Sequence, residues 1–141
     1  MHSKLKGNIG QFAISLALAK LGFSIFSEEG DISKIDLVAE KFGKLLRFQC
    51  KAITPVNGCL HLPLKKSGPG YKFKYTPTMF DYFAVYDLED GRVYAISATI
   101  LDSVKNTLTL RKIAGKNGQT KHVHKAADYE IGKVLNEIGA I

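Results

Sequence analysis

The stretch KIDLVAEKFGKLLRFQCKA occupies residues 34–52, and its second half shows the clearest alternation of apolar and polar side chains in the chain. A period of two predicts strands. We therefore expect strands from Ile35 to Lys41 and from Lys44 to Ile53, joined by a tight turn at Phe42–Gly43. The second strand divides its side chains between two faces, with Leu46, Phe48, Cys50 and Ala52 on one and Arg47, Gln49 and Lys51 on the other.

Asp36 is the unusual residue of this stretch, because it falls within the first strand between two apolar neighbours. An ionised carboxylate in such a place needs a charged partner or a metal ion. The turn can bring it beside Gln49 and Lys51. Asp36, the side-chain oxygen of Gln49 and the backbone carbonyl of Cys50 would then give a partial oxygen shell for Mg²⁺. A plain salt bridge between Asp36 and Lys51 is the alternative, and the spacing alone leaves both open.

The flanking sequence predicts a mixed α/β domain. Ser3 can cap a helix that runs to about Leu21 and ends at Gly22. Its predicted apolar arc consists of Leu5, Ile9, Phe12, Ala13, Leu16 and Leu21, and a polar stripe consists of Asn8, Gln11 and Ser15. Further strands follow, and a C-terminal helix is expected at about 126–138. We expect one domain over residues 1–141, with a core at about 3–112 and a sheet covered on one face by the first helix.

The charge is strongly basic, with twenty Lys and Arg against thirteen Asp and Glu and a formal net charge of +7. Such a surplus favours a polyanionic partner, which is nucleic acid or an acidic membrane surface. No apolar run is long enough for a membrane helix, so we expect no membrane association through a span. The two cysteines give no disulfide framework, which predicts a reducing, cytoplasmic location.

Residues 41–80 contain no carboxylate and hold all four prolines. Proline belongs at turns and strand edges, so this segment predicts a protruding hairpin. Within it, YKFKY at 71–75 alternates aromatic and basic side chains. The candidate nucleic-acid-binding residues are Lys65, Lys66, Tyr71, Lys72, Lys74, Tyr75 and Arg111. The alternative is that the lysines only solvate exposed edges.

A second basic run lies between residues 103 and 127 and includes Lys116 and Lys121. It also contains His122 and His124, which would share a strand face. A zinc site needs three or four ligands, so phosphate contact or a solvated loop is the better interpretation of this pair.

Three segments together resemble the PD-(D/E)XK endonucleases, in the branch that contains a group I intron-encoded homing endonuclease. They are KGNIGQFAISLALAKLGFSI at 6–25, the stretch at 34–52 and DYFAVYDLEDGRVYAI at 81–96. The resemblance implies a restriction-endonuclease α/β core and Mg²⁺-dependent phosphodiester hydrolysis. It implies that Asp36 holds the metal, that Gln49 stands at a usually acidic position, and that Lys51 polarises water or stabilises phosphorane charge.

Gln11 departs from the family pattern, because similar chains usually carry Glu at this place in "KGxxGE". An amide cannot act as an anionic ligand or a general base. We hypothesise that Gln11 is an engineered, catalytically disabling replacement of Glu. The alternative is a natural Gln used for packing.

The resemblance implies a site-specific homing endonuclease that cuts double-stranded DNA with Mg²⁺, and the basic charge agrees with such a partner. One active site per small chain favours a symmetric homo-oligomer, either a dimer or a dimer of dimers. Two alternatives stay open at this point: a Holliday-junction-resolving nuclease and a non-catalytic DNA-binding protein.

Overall fold

The structure is a computed structural model that describes residues 1–113 and 123–141. Lys116, Lys121 and His122 of the second basic run lie outside the described residues. Within these residues no helix has the length and apolarity required to cross a bilayer.

The described residues form two α-helices, two short 3₁₀ helices and ten strands. In chain order they are α1 Ser3–Lys20, β1 Ser24–Ser27, β2 Leu37–Lys41, β3 Lys44–Ile53, β4 Cys59–Pro63, β5 Lys65–Gly68, β6 Tyr71–Lys74, β7 Tyr82–Asp87, β8 Val93–Ser97, a 3₁₀ helix Ala98–Asp102, β9 Thr107–Arg111, β10 His124–Lys125, a 3₁₀ helix Ala126–Tyr129 and α2 Ile131–Glu137.

The central sheet has the strand order β1-β2-β3-β7-β8. β3 and β7 are parallel and the other neighbouring pairs are antiparallel. β3 has the bounds that its alternation predicts. The β2–β3 turn is formed by Phe42 and Gly43 with φ values of 53° and 81°, the left-handed backbone that a two-residue hairpin requires.

The central sheet is covered on both faces. Helices α1 and α2 pack on one face around a core that includes Ile14, Phe48 and Leu135. The three-stranded sheet β10-β9-β4 packs on the other face around a core that includes Leu62, Phe83 and Leu110. The first helix therefore covers one face, as the sequence predicts, and the second sheet covers the other.

The orientation of α1 differs from the prediction. Its fully buried residues are Gly10, Ile14 and Leu18, whereas Leu5, Phe12 and Leu16 of the predicted apolar arc are exposed. The helix thus has two apolar stripes. The buried stripe contains Gly10, which has no side chain, so this stripe lets the helix approach the sheet more closely than the other would. The helix cap is also different, because the His2 side chain, not Ser3, accepts a 3.2 Å hydrogen bond from the Lys4 backbone N–H.

Two further boundaries are corrected. Asp36 precedes β2 instead of lying within it, although its backbone N–H still donates a 2.8 Å hydrogen bond to the Phe48 carbonyl. The C-terminal helix is broken at Glu130, whose extended backbone separates the 3₁₀ helix from α2. The Glu130 carboxylate then caps α2 by accepting hydrogen bonds from the backbone N–H groups of Gly132 and Lys133.

Candidate active site

The Asp36 carboxylate is held by the neighbouring strand β3. Its Oδ2 atom accepts a 2.7 Å hydrogen bond from the Cys50 backbone N–H and a second hydrogen bond from the Gln49 side-chain amide. Burial raises the pKa of Asp36, although these two hydrogen bonds and the charge of Lys51 oppose the shift. Asp36 precedes the first residue of β2. Its carboxylate therefore accepts the hydrogen bond from the Cys50 N–H of β3 that a backbone carbonyl would accept if β2 extended this far.

Gln49 and Lys51 lie on the same face of β3 and meet at the hydroxyl group of Tyr75. Lys51 Nζ donates a 2.8 Å hydrogen bond to Tyr75 Oη, and Tyr75 Oη donates a 3.2 Å hydrogen bond to Gln49 Oε1. The Gln49 oxygen therefore faces Tyr75, and its NH₂ group faces Asp36. In the described residues Lys51 is bonded to this hydroxyl and does not form the plain salt bridge with Asp36.

The pKa values of this group reflect burial and neighbouring charge. Burial lowers the pKa of Lys51 to about 8, and the charges of Lys66 and Lys34 act in the same direction while Asp36 opposes them. Burial raises the pKa of Tyr75 to about 12, with a smaller contribution from the charge of Asp36. An ammonium that is poorly solvated and surrounded by other cations favours an anionic ligand.

The side chain and the backbone groups of Cys50 face different surroundings. Its thiol packs against the helix-side core, and burial followed by the charge of Asp36 raises its pKa, which excludes an activated nucleophile. Its backbone N–H points to Asp36, and the N–H and C=O of one strand residue point to the same neighbour. The Cys50 carbonyl therefore faces the Asp36 side of β3.

Gln11 reaches the site from α1. The Gln11 Nε2 atom lies 3.5 Å from the backbone oxygen of Asp36, which is a weak hydrogen bond. Its position depends on Gly10, because a Cβ atom there would lie 2.7 Å from the Cβ of Ala52 on β3. The close contact between helix and strand brings Asn8 and Gln11 of α1 to the edge of the site.

These groups line one open cleft of about 470 Å³. Its lining residues are Lys4, Gly7, Asn8, Gln11, Asp31, Ser33, Lys34, Asp36, Gln49, Cys50, Lys51 and Lys66. Four of the side chains are cationic and two are anionic, so the cleft carries a positive surplus beside its carboxylates. No sequence pattern marks Lys4, Asp31, Ser33 or Lys34 as cleft residues, whereas the polar stripe of α1 indicates Asn8.

The predicted basic hairpin is formed by β5 and β6. Lys65 lies directly opposite Lys74, and Lys66 lies opposite Phe73. Opposed residues share a face, so Lys65 and Lys74 point one way while Lys66 points to the cleft, which it lines. Lys34 Nζ lies 4.5 Å from the centre of the Phe73 ring, a cation–π contact that ties the cleft-facing side of the hairpin to the loop before Asp36.

Two of the predicted DNA-binding residues lie elsewhere. The predicted DNA contact of Tyr75 is wrong, because its side chain is 1% exposed and packs in the core. Arg111 is half-buried on β9 and does not line the cleft, so its DNA contact stays a prediction. Lys65, Lys66, Tyr71, Lys72 and Lys74 are exposed on the hairpin.

A family model described as PD-(D/E)XK endonuclease matches residues 1–132 of the chain. Among solved structures, the chain is similar to a bacterial homing endonuclease, I-Ssp6803I, with a TM-score of 0.81 and 22% identity, covering 99% of this chain and 97% of that one. It is also similar to Hjc, a Holliday junction resolvase from the archaeal hyperthermophile Archaeoglobus fulgidus, with a TM-score of 0.55 and 14% identity, covering 93% of this chain and 96% of that one. No curated protein gives a significant match. At these identities the two structural likenesses show a common fold.

Proposed function

The chain belongs to the PD-(D/E)XK endonuclease family and has its restriction-endonuclease-like fold, and from this premise we propose that it is a homing endonuclease that hydrolyses phosphodiester bonds of double-stranded DNA. The observation that carries the proposal is the linked group of Asp36, Gln49 and Lys51 in a cleft with a cationic surplus. Phosphoryl hydrolysis requires cations that face the negative charge developing on the phosphate, and this cleft supplies them.

The oxygen atoms present fit a hard divalent cation, and we propose Mg²⁺. Asp36 keeps its Oδ1 atom available, since the two hydrogen bonds from β3 go to Oδ2. The Cys50 carbonyl faces the same side, so Asp36 and Cys50 would hold the ion. A Mg²⁺ site commonly consists of one or two protein oxygens, waters and substrate phosphate oxygens. When bound, Mg²⁺ supplies Lewis acidity and a more acidic water.

The chain's own residues have distinct parts in this proposal. The Lys51 ammonium lies where it can bind a phosphate oxygen and stabilise the charge that accumulates there. Lys34 and Lys66 flank the same cleft and bind the adjacent backbone phosphates. Gln49 binds Asp36 through its NH₂ group, so its predicted part as a metal ligand requires its amide to turn over.

Gln11 brings no negative charge to the site. As an amide 3.5 Å from the Asp36 backbone it can donate a hydrogen bond but supplies no charge. A glutamate of the same shape would add an anionic group beside Asp36. We propose that Gln11 disables an otherwise complete site, whether it arose naturally or by replacement of Glu.

DNA contact is assigned to the exposed lysines of the hairpin, together with Tyr71 and Arg111. Each chain has one cleft of this kind, whereas duplex cleavage requires two cuts on antiparallel strands. We therefore propose a symmetric homo-oligomer, either a dimer or a dimer of dimers, whose two-fold axis matches that of its DNA site.

The test compares the protein with its Gln11→Glu variant on four-way junctions and on a pooled library of linear duplexes of random sequence, with Mg²⁺ or with EDTA. It measures DNA binding as well as cleavage, and the cut ends are sequenced. We expect Gln11→Glu to increase Mg²⁺-dependent cleavage by at least about 100-fold at a defined sequence. Ser15→Glu is the matched control, since it adds the same charge one turn further along α1 and should leave cleavage unchanged.

The outcomes separate the alternatives. Cleavage of four-way junctions but not of linear duplexes would identify a junction-resolving nuclease. DNA binding without cleavage by either protein would leave a non-catalytic DNA-binding protein. Equal cleavage by both proteins would reject the inactivating role of Gln11 and keep the nuclease.

A further inference from the structure

The hydroxyl of Tyr75 joins the side chains of Lys51 and Gln49 in the candidate active site. It follows directly after β6, and its ring is fixed by edge contacts with Phe73, Phe80 and Phe83 at centroid distances of 5.2, 5.7 and 5.5 Å. With the side chain 1% exposed, this ring has little freedom to turn. Its hydroxyl is therefore a fixed point between Lys51 and Gln49.

The hydrogen bonds of the four side chains have only one possible direction. The Lys51 ammonium can only donate, and an ionised Asp36 carboxylate can only accept. Tyr75 accepts from Lys51 at 2.8 Å and must give its single proton to Gln49 Oε1 at 3.2 Å. The Gln49 NH₂ group is then turned to Asp36, where it donates. The hydrogen bonds therefore run from Lys51 through Tyr75 and Gln49 to Asp36, which is the final acceptor.

From this directed chain we infer that Tyr75 is a positioning residue of the active site, which holds the Lys51 ammonium and sets the orientation of the Gln49 amide that in turn fixes Asp36. The inference rests on the proposed nuclease function. It assigns Gln49 to orienting Asp36 through nitrogen, and it leaves Asp36 Oδ1 and the Cys50 carbonyl as the metal-facing oxygens.

The variant that tests this is Tyr75→Phe in the Gln11→Glu background, because phenylalanine keeps the ring packing and removes only the hydroxyl. We expect the single-turnover cleavage rate constant at saturating DNA to fall by about 10- to 100-fold, as for other losses of positioning. The DNA dissociation constant should stay within about twofold. A purely structural role would change folding and binding together instead of the rate alone.

Tyr129→Phe is the matched control, since it removes a 2.9 Å hydroxyl hydrogen bond to His124 outside the cleft. It should leave the rate constant unchanged. A rate for Tyr75→Phe that equals the Tyr129→Phe rate would overturn the inference.

Replacing Gln49 gives a second readout. A carboxylate has two equivalent oxygens and needs no donor to orient it, so Tyr75→Phe should slow a Gln49→Glu protein much less than the Gln49 protein. An equal loss of rate in both backgrounds would overturn the part of the inference in which Tyr75 acts through the Gln49 amide.

A measurement without cleavage separates this inference from the proposed function. In ¹⁵N NMR spectra of the protein itself, the Gln49 side-chain NH₂ protons should be shifted downfield by Asp36 and should move to ordinary amide positions in Tyr75→Phe. If the NH₂ signals behave so but Gln11→Glu cuts no DNA, the nuclease proposal fails and the positioning role stands. Unchanged NH₂ signals in Tyr75→Phe overturn the positioning role whatever the activity.

Discussion

Gly10 of α1 lies so close to Ala52 of β3 that a Cβ atom at position 10 would be 2.7 Å from the Ala52 Cβ. Helix and strand backbones approach at this point because neither side chain keeps them apart. The residue after Gly10 is Gln11, so the same contact decides how near α1 brings its polar stripe to Asp36. The position of the candidate site thus depends on the absence of a single methyl group.

Gly10→Ala should therefore lower the free energy of unfolding by about 1–3 kcal/mol, because the new methyl group has no space in a packed contact. Gly7→Ala on the same helix is the control, since a Cβ there meets nothing within 4 Å. It should raise the free energy of unfolding by about 0.5–1 kcal/mol through better helix propensity. Urea unfolding of both variants measures these changes, and equal effects would contradict the close contact.

The contact between β2 and β3 shows what the sequence could predict. The alternation in residues 44–53 and the Phe42–Gly43 turn define β3 and the hairpin without further information, and they bring Asp36 beside Gln49. The family resemblance is confirmed by the match over residues 1–132. The local pattern was sufficient because these residues are near one another in sequence. The short turn and the alternation allow only one pairing register between β2 and β3.

The remaining features depend on distant contacts. The Gln49 amide oxygen accepts a hydrogen bond from Tyr75, which lies 26 positions further along the chain. The periodicity of α1 offers two apolar stripes, and only the approach of Ala52 selects the stripe with Gly10. Alternation placed Tyr71 and Tyr75 on the same aromatic face but could not show that Tyr75 is buried while Tyr71 stays exposed. Tertiary packing, which a local pattern does not contain, decided each case.

Asp81 binds Arg47 near the start of β3, and this contact should make the free energy of unfolding depend on pH. Its carboxylate accepts hydrogen bonds from the Arg47 backbone N–H at 2.8 Å and from Arg47 Nη2 at 3.1 Å. Burial acts to raise the pKa of Asp81, but the hydrogen bonds and charge of Arg47 outweigh it and lower the pKa. A depressed carboxylate pKa stabilises the fold above the unfolded value near 4 and loses this stabilisation as the pH falls through the folded value.

Asp81→Asn should therefore lower the melting temperature at pH 7, and the difference from the parent should shrink below about pH 4. The Arg47 and Asp81 side chains are more than one-third exposed, at 38% and 36%. We therefore expect the free energy of unfolding at pH 7 to fall by only about 1 kcal/mol. Asp102→Asn, on an exposed position of the first 3₁₀ helix, is the control. A difference that stays constant from pH 7 to pH 3 would contradict the lowered pKa.

Lys112 joins the two sheets through a buried carboxylate. Its Nζ lies 2.7 Å from Asp87 Oδ2, and Asp87 is fully buried at the end of β7. Lys112→Met would leave that carboxylate without its cation and should lower the free energy of unfolding by about 3–5 kcal/mol. Lys105→Met, at an exposed position, should change it by less than about 0.5 kcal/mol. Chemical denaturation measures both, and similar losses would show that the ion pair does not matter for stability.

Lys65 and Lys74 give the sharpest test of the hairpin, because they face each other directly on β5 and β6. Like charges at opposed positions destabilise a sheet, so a hairpin that served only as structure would gain from losing one of them. Lys74→Thr should raise the free energy of unfolding by a few tenths of a kcal/mol, since it removes the repulsion and keeps a strand-forming residue. The same change should weaken DNA binding if Lys74 contacts phosphate.

Fluorescence anisotropy with a labelled duplex, measured between about 50 and 300 mM salt, separates these effects. Each lost phosphate contact reduces the slope of log K against log salt concentration by about 1. Lys133→Thr is the control, because this lysine on α2 contacts Asp128 and lies outside the cleft and the hairpin. An unchanged slope for Lys74→Thr would remove Lys74 from the DNA-binding surface. A lower slope together with a higher free energy of unfolding would show that Lys74 binds the phosphate backbone at a cost in stability to the hairpin.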